Sequence, residues 1–149
     1  MNIIELVKNI VLQFPKINEI CNDIHVDFTE AEPTNYGLSS SGDRLLSEDI
    51  CGNQTRQHNF VLYAVYQSLN DYDRINNSGV LLELSYWLES NVNNQRITVL
   101  VGENTLNGYL TLLTCSNGML FSIPNENFNT GVRYQLNIAA EYIVESEDK

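Results

Sequence analysis

The run Arg133–Glu145, RYQLNIAAEYIVE, constrains the fold more than any other stretch, because apolar and polar residues alternate along it almost without a break. Tyr134, Leu136, Ile138, Ala140, Tyr142 and Val144 fall on one side of an extended chain, while Gln135, Asn137, Glu141 and Glu145 fall mostly on the other. A helix of about 3.6 residues per turn would scatter these apolar residues around its circumference, whereas a strand of period two gathers them on one face. The pattern predicts a long strand with one face on the core and one face wet, as in an antiparallel sheet. Burying these side chains at about 1.5–3 kcal/mol each gives a gross term on the order of 10 kcal/mol, comparable with the net stability of a whole domain.

A chain of 149 residues can bury one good core, so residues 1–149 read as a single domain, with Glu145–Lys149 expected to fray. Nineteen acidic against eight basic side chains leave a formal charge of −11 with no cluster of Lys or Arg, which argues against a nucleic-acid footprint and against an anionic membrane surface. The apolar run Phe60–Tyr66 is far shorter than the roughly 20 residues of a spanning helix. The N-terminal stretch has no basic residue ahead of its apolar part and carries Glu5 and Lys8 within it, so it reads as mature structure rather than a signal peptide. Cys21, Cys51 and Cys115 are odd in number, widely spaced and without a CxxC pair, which suggests neither a disulfide framework nor a zinc site and places the chain in a reducing cytoplasm.

Asn2 followed three residues later by Glu5 resembles a capping box, and the apolar spacing predicts a first helix over Ile3–Phe14, stopped by Pro15. Ile24–Phe28 alternates as a short strand. Thr34–Gln57 is too long for a structureless loop, so it should hold strands at Asn35–Ser39 and Arg44–Leu46, with a tight turn at Cys51–Asn53. The β-branched and aromatic run Phe60–Tyr66 reads as a central strand buried on both faces and as the partner of the C-terminal strand. A second helix, Tyr72–Ser90, is capped by Asn70 or Asp71 and carries Leu81, Leu84 and Leu88 in one stripe, and its Gly79 suggests close packing on the sheet. Arg96–Val101 and Tyr109–Thr114 read as strands, and Asn117-Gly118 as a hairpin turn between Tyr109–Cys115 and Met119–Ile123. Together these predict an α+β domain whose two helices pack on one face of a mainly antiparallel twisted sheet, leaving the other face open for a second subunit or for water.

Residue chemistry yields no enzyme: no residue is expected to be catalytic, to bind a cofactor or to ligate a metal. His25 and Asp27 share a strand face, but a solvated edge pair is the better reading, since no third ligand stands at sensible spacing. His58, with Cys51 and Asp49 upstream, invites a Cys–His nucleophile, yet a free cysteine is more often a small buried hydrophobe. Ser39-Ser40-Ser41-Gly42-Asp43 reads as a turn rather than a phosphate cradle, and Asp71, Asp73, Asn76 and Asn77 as helix-start residues rather than calcium ligands.

The succession Tyr36-Gly37-Leu38, Gly42-Asp43, Asp49-Ile50-Cys51-Gly52, Arg56-Gln57 with Phe60 and Leu62, Asp73-Arg74, Leu82–Glu89 and Val132–Ile138 resembles a family of minor capsid or neck proteins of long-tailed bacteriophages and prophages, similar to tail-terminator proteins. The resemblance spans nearly the whole chain and departs from the family pattern in Arg96–Thr114. It implies a tail-terminator-like α+β subunit that forms a ring, caps or terminates the tail tube and joins it to the head connector, with no cofactor and no membrane. It also places the protein in the virion neck, and in the host cytoplasm during assembly. A hexamer is the ring size to consider first, with DNA passing through an acidic lumen without specific binding. The competing expectation is a small α+β ligand-binding protein or enzyme with an apolar pocket between helices and sheet and His58 or His25 at its wall.

Overall fold

The computed structural model describes residues 1–15, 24–26, 35–66, 71–122 and 132–146. In chain order the elements are α1 (Ile3–Leu12), β1 (Ile24–Val26), β2 (Asn35–Glu48), β3 (Gln54–Tyr66), α2 (Asp71–Ser90), β4 (Arg96–Val101), β5 (Asn104–Ser122) and β6 (Val132–Val144). The strands form one six-stranded sheet in the order β1-β2-β3-β6-β5-β4. The alternating C-terminal run is β6, and it is an interior strand, antiparallel to β3 on one side and to β5 on the other. Leu136, Ile138, Ala140, Tyr142 and Val144 are buried, while the residues between them are half-buried on the opposite face. The side chain of Tyr134 lies outside the described ones.

The expected α+β architecture is corrected, because strand residues outnumber helical ones more than two to one among the described residues, with five strands curled into a half-barrel. What stands of the expectation is two helices on a twisted sheet. The physical reason for the difference is that the strands are longer than their turn-like residues suggest. β2 runs unbroken through Ser40-Ser41-Gly42, and β5 runs through Asn117-Gly118, where the hairpin was expected. Both places are register shifts, and further shifts occur at Leu45/Ser47, Leu110/Leu112 and Leu120/Ser122. Each such bulge adds a residue to one strand, bends it and increases its twist, which is how long strands come to curl. The chain instead turns back between β4 and β5 at Gly102-Glu103, where Gly102 at φ +64° supplies the left-handed first position. Nor is every strand antiparallel, since β1 pairs with β2 in parallel.

The helices cover the face that carries the buried side of β6. Asn2 caps α1 by accepting the Glu5 N–H at 2.9 Å, and Ile3, Leu6, Val7, Ile10 and Val11 enter the core. Phe14 meets Trp87 of α2 edge-to-face at 5.7 Å, joining the helices, and Leu81, Leu84 and Leu88 form the buried stripe of α2. Gly79, by contrast, is exposed with open space around it, so the close packing expected there is absent. β3 is not buried on both faces: Phe60 and Leu62 enter the core while Val61 and Tyr63 are half-buried on the other side. Nor do Glu145 and Ser146 fray, because the Glu145 N–H binds Asn107 O at 2.8 Å and the Ser146 N–H binds Asn53 Oδ1 at 2.8 Å.

Gly108 has a role its sequence context conceals. A Cβ on it would lie 2.3 Å from the backbone oxygen of Ile143, closer than real carbon and oxygen atoms approach. Gly108→Ala must therefore push β5 away from β6 where the two first pair, and overpacking of that kind typically costs about 1–3 kcal/mol, occasionally more. A loss of stability near the upper end is expected in urea melts, against less than about 0.5 kcal/mol for an exposed site such as Thr105→Ala.

Candidate functional site

The principal polar cluster of the described residues gathers around Asp43 on the core face, at the end of the sheet where the helices do not reach. The carboxylate accepts the Arg56 Nε–H at 2.8 Å through Oδ1, and through Oδ2 it accepts the Tyr142 hydroxyl and faces His58 Nδ1 at 2.9 Å. His58 Nε2 in turn lies 2.5 Å from Ser40 Oγ, and its ring is tilted on Phe60 at 4.7 Å. Arg56 also donates to Gln54 Oε1 at 3.1 Å. Three strands, β2, β3 and β6, are thus laced together by one carboxylate.

The bulges of β2 make this meeting. An unbroken ladder counted from Glu48 opposite Gln54 would set His58 opposite Arg44, whereas the shift at Leu45/Ser47 sets it opposite Asp43. The turn that joins the two strands is held by Asp49, whose Oδ1 accepts the N–H groups of Cys51 and Asn53, both at 2.9 Å. The bond from Asn53 leads the contacts that hold the Asp49 carboxyl below the usual carboxylate range.

Electrostatics at the cluster are set by competition. Burial pushes the Asp43 carboxyl up, but the hydrogen bonds from Tyr142, Arg56 and His58 outweigh it, and the group is held below its ordinary 3.8. Burial and then the neighbouring Asp43 push the Tyr142 hydroxyl well up, so it stays a donor. The hydrogen bond to Asp43 raises Arg56 further. A carboxyl with a lowered folded value contributes stability that is complete above its unfolded value and is lost as pH falls through the folded one. Asp43→Asn is therefore expected to lower stability at pH 7 by about 1–3 kcal/mol, the worth of a charged hydrogen bond left unmade. The gap between variant and parent should close as acid takes the parent below 3.8. Urea melts at pH 7 and pH 3 check this, and an equal gap at both would show that the charge is not what holds the cluster.

Beside the cluster runs an open trough. One stretch, of 470 Å³, has Gln54 and Arg56 on one wall, Val99 and Leu106 on the other, and Tyr142 and Val144 at its floor. A second, of 430 Å³, shares Asp43, Val99 and Tyr142 with it and extends past His58 to the start of α1. The trough is the part of the half-barrel's inner face that α1 and α2 leave uncovered.

Neither a protein-family model nor a curated protein matches this chain.

The residues weighed from sequence fare as follows. His58 lies in the cluster, but with Asp43 and Ser40; Asp49 and Cys51 belong to the turn and are exposed. Cys51 and Cys115 are free thiols, and burial, with Glu89 nearby, pushes Cys115 up to about 12, so it behaves as a small apolar group. His25 sits on β1 opposite Gly37, while Asp27 and Cys21 lie outside the described residues, as do the side chains of Asp71, Asp73, Asn76 and Asn77. Among the described residues no group of His, Cys, Asp and Glu is arranged to hold a metal ion. Arg56 and Tyr142 escaped sequence reasoning. The one available signal for Tyr142 was its place on the inward face of β6, where a phenol needs a partner.

Proposed function

We propose that this chain is a structural subunit of the virion neck of a long-tailed bacteriophage, acting as a ring of identical copies that caps or terminates the tail tube and joins it to the head connector. The observation that carries the reading is the open-sided sheet: among the described residues β1 pairs with Tyr36–Leu38 of β2, no strand lies against the outer side of Gly42–Glu48, and β4 is the last strand on the other side. A half-barrel with two uncovered margins is suited to repeated lateral contact between copies. The charge of −11 suits a lumen through which DNA slides without adhering. Among the described residues no helix is long and apolar enough to cross a membrane.

The test is removal of the gene from a phage or prophage that carries it. Unjoined heads and tails, or tails of uncontrolled length, are expected, with rescue by the unmodified gene; complete infectious particles without the protein would defeat the reading. A second reading is favoured by the Ser40–His58–Asp43 line beside an open groove, the order of groups found in nucleophilic hydrolases. In the ring reading Ser40→Ala and His58→Ala leave phage titre within a few-fold. A loss of about 10²–10⁴-fold in a folded variant, the usual worth of a catalytic acid or base, would favour the enzyme.

A further inference from the structure

His58 stands between its two partners in the order that nucleophilic catalysis needs. The ionised Asp43 carboxylate can only accept, so its 2.9 Å contact fixes the proton of the neutral ring on Nδ1. The lone pair of Nε2 is thereby left to accept the Ser40 hydroxyl, 2.5 Å away. Arg56 and Tyr142 bind the same carboxylate and fix its place. The imidazole is only 9% exposed and packs on Phe60, whereas Ser40 is exposed. An exposed hydroxyl has water to bond, so burial does not force it onto the histidine. A buried base behind an exposed hydroxyl also lets a substrate reach the oxygen without displacing the ring.

The trough that His58 lines indicates what the substrate is. Over 430 Å³ it passes Tyr142, Val99 and Leu100 and ends at Ile3 in the first turn of α1. Its acidic groups are Asp43 and Glu5, and the whole chain carries −11, so a carboxylate or phosphate is repelled while an uncharged apolar group finds Ile3, Val99 and Leu100. We propose that Ser40 is the nucleophile and His58 the general base of an esterase site for carboxylic esters with an uncharged, apolar acyl group. The inference rests on the hydrolase reading above and not on the ring.

In the first half-reaction Ser40 Oγ attacks the ester carbonyl carbon while His58 Nε2 takes its proton. The bond from that carbon to the alcohol oxygen then breaks, and the alcohol leaves with the proton. Water attacks the acyl group on Ser40 in the same way, which releases the carboxylic acid and restores both residues. The net reaction is ester plus water giving acid plus alcohol.

The test treats the intact chain with a fluorophosphonate, which bonds phosphorus to an activated serine oxygen with loss of fluoride, and separately with p-nitrophenyl butyrate. Label on Ser40, mapped by mass spectrometry, is expected, with hydrolysis of the butyrate that falls about 10²–10⁴-fold in Ser40→Ala. Ser40 is exposed, so this variant keeps its fold, which circular dichroism checks. Ser39→Ala, one residue away on the other face of β2, should match the parent, and folded His58→Gln should lose label and hydrolysis together. The p-nitrophenyl monoester of succinate, which carries a carboxylate, should be cleaved more slowly than the butyrate. Label on Ser40 without butyrate hydrolysis, or preference for the succinate, overturns the substrate class and leaves the nucleophile standing. Absence of label on Ser40, equal hydrolysis by Ser40→Ala and parent, or full activity in His58→Gln overturns the hydrolase reading itself.

Discussion

Ile138→Asp is expected to abolish folding, while Asn137→Asp, one residue away, leaves the melting temperature nearly unchanged. Ile138 is 1% exposed and sits between Phe60 of β3 and Cys115 of β5 on the face that the helices cover. A carboxylate there has no basic partner among the described residues, and a buried charge without one costs several kcal/mol, against a total stability of about 5–15 kcal/mol. Asn137 points to the opposite face and is half-buried between Val61 and Ser116, where an added charge keeps much of its water. Circular dichroism melts decide between them. Equal melting temperatures for the two variants would mean that the face of β6 is assigned wrongly, and with it the register of the whole sheet.

That register was legible in part because β6 states its own orientation. Five alternate residues, Leu136 to Val144, must be buried together, and only an extended chain does that. The apolar run at Phe60 could be matched to it for the same reason. Asn117-Gly118 misled because a turn preference is a local term. The chain on both sides of it, from Thr114 opposite Ala139 to Ser122 opposite Arg133, already has a better partner in β6. A strand that can pair along its full length with a neighbour absorbs a turn-forming dipeptide as a bulge. Gly102-Glu103 carried a weaker signal and makes the turn because, among the described strands, Arg96–Val101 pairs only with β5.

The polar cluster was hidden for a different reason. Asp43 lies 15 residues from His58 and 99 from Tyr142, so sequence proximity favoured Asp49 and Cys51 as partners for the histidine. Finding Asp43 required the β2–β3 register, and that depends on a bulge that nothing in Leu45-Leu46-Ser47 announces. The exposed apolar side chains were not legible, because the expectation was of an open sheet face, whereas those the sheet leaves in water lie mainly along its edges.

On the ring reading, assembly is expected to rise steeply with salt, from monomers of 16.9 kDa in dilute buffer to oligomers at moderate ionic strength. Every copy brings a formal charge of −11, so each docking step must overcome repulsion between whole subunits. That repulsion reaches about 30 Å at 0.01 M salt and only about 10 Å at 0.1 M. Any burial of exposed apolar side chains between copies works in the same direction, because apolar burial is not screened and is strengthened by excluded salts such as sulfate. One term opposes: attraction between opposite charges that meet across a contact weakens as salt is added. An exposed pair of this kind contributes about 0.2–1 kcal/mol, too little to reverse a repulsion that involves every charge on both partners. Mass photometry across a chloride series reads the balance, and a sulfate series at matched ionic strength separates screening from packing. Larger assemblies in sulfate than in chloride are expected. Oligomers that form in dilute buffer and dissociate as salt is added would show that charge pairs, not apolar burial, hold the copies together.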